Sequence, residues 1–147
     1  MAAAKKRKHG RFVGIPYHVA QSHQFASLSA HANKLLLDLL LQYTGSNNGC
    51  LSACWSLMRV RQWKSSSTLY KAKQELLNKG FIIVTKAGMK MRGHPTLLAI
   101  TWRVIDSSLK VEYDGHIKPS KVPLSLWKTG GQVPIKQPKL KVAARIN

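Results

Sequence analysis

Residues 63–85 read WKSSSTLYKAKQELLNKGFIIVT, and residues 96–102 read TLLAITW. The serines at 65–67 suit a helix start, where a side-chain oxygen accepts a hydrogen bond from an otherwise orphaned backbone N–H. Leu69, Ala72 and Leu76 then repeat at helical spacing, and Asn78, Lys79 and Gly80 form a helix stop. This predicts a helix over about 66–79. The β-branched run 81–85 follows at once and predicts a strand. A glycine-rich, basic connection over 86–95 leads to a second strand over 96–102, so the two strands read as a hairpin.

Upstream, Ser27 or Ser29 can cap a helix running to about Thr44, where Gly45 stops it. Ala32, Leu35, Leu36, Leu39, Leu40 and Tyr43 make its core face. Leu37 and Leu41 fall on the other side with Asp38, and that second apolar strip needs a cover. The lead-in over 12–26, rich in large apolar residues, or the tail around Trp127 folds over it, or it pairs with its own copy in a homodimer; the lead-in is favoured because it is close in sequence. Residues 46–49, Ser-Asn-Asn-Gly, form a turn. Cys50 and Leu51 make a very short extended piece, and Ser52 caps a second helix to about Gln62. A short break at Trp63 and Lys64 separates it from the third helix. Downstream of Asp106 the chain becomes Pro- and Lys-rich with weak periodicity, so residues 107–147 read as an extended basic tail, docked through Leu124, Leu126 and Trp127.

The order is therefore helix, short strand, helix, tight break, helix, hairpin. The fold class expected is α+β, mostly helical: a winged helix-turn-helix over residues 12–106, with three helices and a β-hairpin wing. A basic arm (1–11) precedes it and the irregular tail follows. In such an arrangement the helix after the tight break lies in the DNA major groove. Its N-terminus and outward face would present Ser65, Ser66, Ser67, Tyr70, Lys71 and Gln74. Small hydroxyls let backbone N–H groups approach a phosphate, and Gln pairs with adenine in a bidentate way. The hairpin would bring Lys86, Lys90 and Arg92 to the flanking backbone or minor groove. Lys5, Lys6, Arg7 and Lys8 would act as a nonspecific phosphate-binding arm. The bland alternatives are a solvated helix face, a floppy hairpin tip and a solubilising tail. Turns between such helices often contain glycine; none occurs between Leu51 and Gly80, and Gln62 stands where it is expected.

Charge supports the functional reading over the bland ones. The chain has 147 residues, about one domain's worth, with 24 Lys and Arg against 5 Asp and Glu, for a net charge of +19. Residues 1–11 hold five basic residues and no acid, and the tail holds eight basic against two acidic. A compact state so charged repels itself unless a polyanion screens it, and phosphates do so with release of counterions. The hydrophobic fraction of 44% is enough for a core.

Other classes find little support. Cys50 and Cys54 lack the further partners of a zinc framework, and His18, His23 and His31 are scattered, so no metal and no cofactor are expected. Asp106, Glu112 and Asp114, with His116 nearby, form the only acidic cluster, on the way into an irregular tail. No phosphate loop, dinucleotide fingerprint or nucleophile elbow occurs, so no enzyme is expected. Trp55, Trp63 and Trp102 read as core or domain-edge residues rather than base-stacking platforms. No stretch approaches 18 apolar residues, so no membrane contact is expected. A reduced cytoplasm, in association with the nucleoid, is the expected location.

Residues 12–106 also resemble a family of small winged-helix proteins of proteobacteria, often carried by phages and other mobile elements. The likeness rests on Leu35 to Leu39, on Gln42 to Gly45 with Asn47 to Gly49, and on Leu51 and Ser52. It continues through Trp63 to Ser65, Thr68 to Ala72, Glu75 and Leu76, and Gly80 to Ile82, and ends with Ala99 to Trp102. The resemblance implies DNA binding and no particular operator. The expectation is a double-stranded DNA-binding regulator of transcription or replication of a mobile element. Two alternatives stand beside it: a replication initiator or accessory module that docks replication or transcription machinery, and an RNA-binding or ribosome-associated protein.

Overall fold

The computed structural model describes residues 10–89 and 93–130. Two single-turn helices, α1 (Tyr17–Ala20) and α2 (His23–Ala26), lead into α3 (Ala30–Gln42). A short α4 (Trp55–Met58) continues as a 3-10 turn over Arg59–Arg61, and α5 (Ser66–Asn78) follows. Strands β1 (Ile82–Lys86) and β2 (Leu97–Ile100) form an antiparallel hairpin, and a second 3-10 turn spans Leu126–Thr129. The fold is α+β, with five helices and a two-stranded hairpin among the described residues.

Serine chemistry starts both long helices. Ser29 Oγ accepts from Ala32 N at 3.1 Å, and Ser65 Oγ accepts from Thr68 N at 3.3 Å. The second helix departs from expectation. It begins at Trp55, after Cys54, and Ser52 is drawn elsewhere: the Gln42 side-chain amide pairs with the backbone of Ser52 in both directions, at 2.7 and 2.9 Å. Gln62 takes the left-handed conformation, φ 70°, at the position where glycine was expected.

Leu35, Leu36 and Leu39 of α3 pack with Leu69, Ala72 and Leu76 of α5 and with Phe81, Ile82, Leu98 and Ile100 of the hairpin in one core. Leu51 bridges to Leu98 beside β2, which supplies the expected short extended piece. On the other edge, the 112–114 segment lies along β1: Asp114 N donates to Thr85 O at 2.8 Å, and Asp114 Oδ2 accepts from Ala87 N at 2.9 Å. Thr85 is the extra residue of a β-bulge, and its buried hydroxyl donates to Gly49 O at 2.5 Å.

Two buried polar residues organise the joints. Asn48, fully buried, was visible in the sequence only as part of a turn. Its amide donates to Ile100 O and Val104 O and accepts from Ile100 N, while its backbone N–H donates to Asp106. Gly49 beside it has φ 128°, and a Cβ there would strike the Tyr113 ring, so no other residue fits. Asp38 does not share the exposed side of α3 with Leu37 and Leu41; it is buried. Its carboxylate accepts from Trp63 Nε1 (2.8 Å), Arg61 Nε (3.0 Å) and Lys34 Nζ (3.3 Å), which ties α3 to the turn before α5.

The lead-in does not cover Leu37 and Leu41, which remain 46% and 50% exposed. Phe12 and Val13, both exposed, line a cleft with Leu40, Leu41 and Tyr43, and Phe25 instead meets Phe81 edge-on in the core. The core also extends past Asp106. Trp127 stacks on Phe81 with ring centroids 6.3 Å apart, Leu126 is buried beside it, and Ile105 and Ile117 form a second cluster with Ala99. Leu124 is exposed, so the docking uses two of the three residues expected. No described helix is long and apolar enough to cross a membrane.

Candidate nucleic-acid interface

Helix α5 is held to the core by Leu69, Ala72 and Leu76, as its spacing predicts, and this fixes what its other side presents. Ser66, Ser67, Tyr70 and Lys71 are exposed and Gln74 is half-buried at the edge of the same face. Ser67, Tyr70, Lys71 and Gln74 follow the three- and four-residue spacing that places side chains in one strip. Ser65 has a different place: its hydroxyl caps the helix and lies 2.8 Å from Ser67 Oγ. Lys73, absent from the sequence-based set, lies with its ammonium 5.8 Å from the Tyr70 ring centroid.

Most acidic side chains are bonded within the fold. Asp38 is buried under the turn. Glu75 accepts from Ser29 N at 2.8 Å and pairs with Lys79 at 3.6 Å. Burial alone would raise the Glu75 carboxyl, but the N–H and hydroxyl of Ser29 and the Lys79 ammonium outweigh it and hold the group below its ordinary value. Asp106 and Asp114 accept from the backbone N–H groups of Asn48 and Ala87. Four of the five acids in the chain are thus engaged in holding the fold, and Glu112 alone is exposed. Among the cations, Arg59, Lys64, Lys71 and Lys110 are exposed, and Arg61 is exposed although its Nε is bonded to Asp38.

In the hairpin, Lys86 is half-buried and donates to Glu112 O at 3.2 Å. Lys90 and Arg92, and the arm residues Lys5, Lys6, Arg7 and Lys8, lie outside the described residues. Trp63 and Trp102 are buried, whereas Trp55 is partly exposed on α4. Tyr113, whose hydroxyl donates to Asp106 O at 2.6 Å, is pushed well above the usual phenol value by burial first, then by Cys50 and Asp106; it is a strut at the base of the hairpin. Burial alone would raise the Cys54 thiol, but bonds from Ser52, Ser56 and the local backbone bring it below its ordinary value. No group of three or more His, Cys, Asp or Glu side chains is placed to hold a metal ion among the described residues.

Asp38 and Asn48 were the residues least legible beforehand. The available signals were a single acid inside a leucine run, four residues after Lys34, and an Asn-Asn-Gly turn. No protein-family model, curated protein or solved structure matches the chain.

Proposed function

We propose that the chain is a winged helix-turn-helix protein that binds double-stranded DNA, with α5 as the helix that enters the major groove. One observation carries this reading: α5 presents Ser66, Ser67, Tyr70 and Lys71 to solvent beside a hairpin, while four of the chain's five acids are bonded elsewhere. The mechanism is placement. Lys71 and Gln74 read base edges, the hydroxyls and N–H groups at the α5 start meet a phosphate, and the hairpin holds the flanking backbone. The likeness of residues 12–106 to small winged-helix proteins of phages and mobile elements extends the proposal to control of transcription or replication of such an element.

The test is to sequence the DNA recovered with the protein from sheared genomic fragments, then to measure binding to the enriched duplex by fluorescence anisotropy. Protection of one short duplex site is the expected result. A strong preference for structured RNA over that duplex overturns the proposal and favours the RNA-binding alternative.

A further inference from the structure

The turn before α5 carries an arginine that is fixed at one end and open at the other. Arg61 donates through Nε to Asp38 Oδ1 at 3.0 Å. Its side chain is 54% exposed, whereas that of Asp38 is 3% exposed. The two terminal amino groups of the guanidinium make no hydrogen bond among the described residues. The backbone beneath is held as well. Gln62 N donates to Arg59 O at 3.2 Å, Trp63 N to Met58 O at 3.3 Å, and Lys34 Nζ to Arg61 O at 2.8 Å.

A guanidinium is a planar fork. A bond through Nε pins its plane, and the terminal groups then project in a set direction. Asp38 also accepts from Lys34, so one carboxylate meets two cations and the cluster keeps a surplus positive charge. Arg61 ends the 3-10 turn that continues α4, four residues ahead of Ser65, the cap of α5. In helix-turn-helix docking the first helix crosses the nucleic-acid backbone while the second lies in the groove.

We propose that Arg61 is a phosphate-backbone contact of the DNA interface, and that Asp38 is the residue that positions it. This rests on the DNA-binding reading above. Nε stays with Asp38 while the terminal amino groups take two oxygens of one phosphate, a bidentate geometry that arginine offers and lysine does not. The buried carboxylate thus has two tasks: it ties α3 to the turn, and it aims the guanidinium outward. A phosphate contact carries no sequence information, so Arg61 acts on all duplexes alike. The fork also fits a carboxylate, and the experiment therefore includes an acidic polypeptide.

The experiment measures binding of the full chain to the enriched duplex, to a scrambled duplex and to polyglutamate across a series of salt concentrations. Wild type is compared with Arg61→Gln, Arg61→Lys and Lys128→Gln. Lys128 lies over the Trp127 ring and reports the effect of removing one positive charge elsewhere. Melting curves confirm that each variant is folded; Trp63 and Lys34 still bond Asp38 when Arg61 is replaced. For a phosphate no longer neutralised, the slope of log affinity against log salt flattens by about 0.9. Arg61→Gln is expected to flatten it by about that amount, equally on both duplexes, with Lys128→Gln close to wild type. Arg61→Lys should match Arg61→Gln although it keeps the charge, because a single ammonium is claimed by Asp38. An Arg61→Gln slope equal to that of Lys128→Gln, with wild type still binding, overturns the contact and leaves the DNA reading standing. A wild-type slope in Arg61→Lys overturns the positioning by Asp38. An equal loss on polyglutamate overturns the assignment to phosphate. A wild type that binds neither duplex overturns the DNA reading, and the contact with it.

Discussion

Helices α3 and α5 begin from the same design and end with opposite surfaces. Each has 13 residues, each is capped by a serine hydroxyl bonded to the third helical N–H, and each buries its apolar face against the other. They even share an end: Glu75 of α5 accepts the N–H of Ser29, the cap of α3. Their outward sides differ completely. α3 shows Leu37 and Leu41, half-exposed, whereas α5 shows Ser66, Ser67, Tyr70 and Lys71. The inward faces must match because they meet in one core. The outward faces are free of that demand, so their chemistry reports what each meets outside the fold.

The two helices can be set apart most severely at their link. Asp38→Ala removes the acceptor that joins α3 to the turn before α5 and leaves the buried Trp63 N–H without a partner. Lys34 and Arg61 keep access to water, so the expected loss is about 2–3 kcal/mol, read by urea unfolding followed by tryptophan fluorescence. An unchanged midpoint would mean that the turn holds its place without Asp38.

Next in size is the outward face of α5. Gln74→Ala is expected to reduce discrimination at one base position by about 1–3 kcal/mol while leaving the melting temperature nearly constant. Competition against single-base operator variants checks it; an unaltered ranking removes Gln74 from base reading.

The shared end is weaker, because Glu75 is partly open to solvent and screened. Its folded carboxyl value is depressed, so its contribution is present above the unfolded value, about 4.3, and is lost as pH falls through the lower folded value. The stability gap between wild type and Glu75→Gln should therefore be a few tenths of a kcal/mol at neutral pH and close in acid. A gap that widens on acidification would refute the cross-cap. Melting curves between about pH 7 and pH 2.5, which bracket the carboxylate range, decide it.

The smallest effect belongs to the outward face of α3. Leu41→Lys should shift stability by less than about 0.5 kcal/mol, since a half-exposed position loses little packing. Light scattering on wild type and variant adds a second reading. A wild-type dimer that becomes a folded monomer in Leu41→Lys would show that the strip pairs with its own copy.

The linear chain alone determined the elements whose signals are local. Helical spacing, serine caps and the Asn78 to Gly80 stop placed α3 and α5 nearly to the residue, and the β-branched runs placed the hairpin. Helix periodicity also separated the buried side of α5 from its outward strip. It was enough even to mark Gln62 as the residue that turns where glycine was expected. Tertiary structure decided whatever depends on partners far apart in the chain. Asn48 finds its partners 52 to 58 positions away, and Asp38 finds Arg61 and Trp63 across a turn. The second helix starts late because Gln42, ten residues upstream, engages Ser52. The 107–130 segment has weak periodicity of its own and gains its place from Phe81, Thr85 and Ala99, through stacking, backbone bonds and burial. Local propensity acts over a few residues, while the desolvation of a polar group or an indole is relieved only where the folded chain brings an acceptor or a ring to meet it.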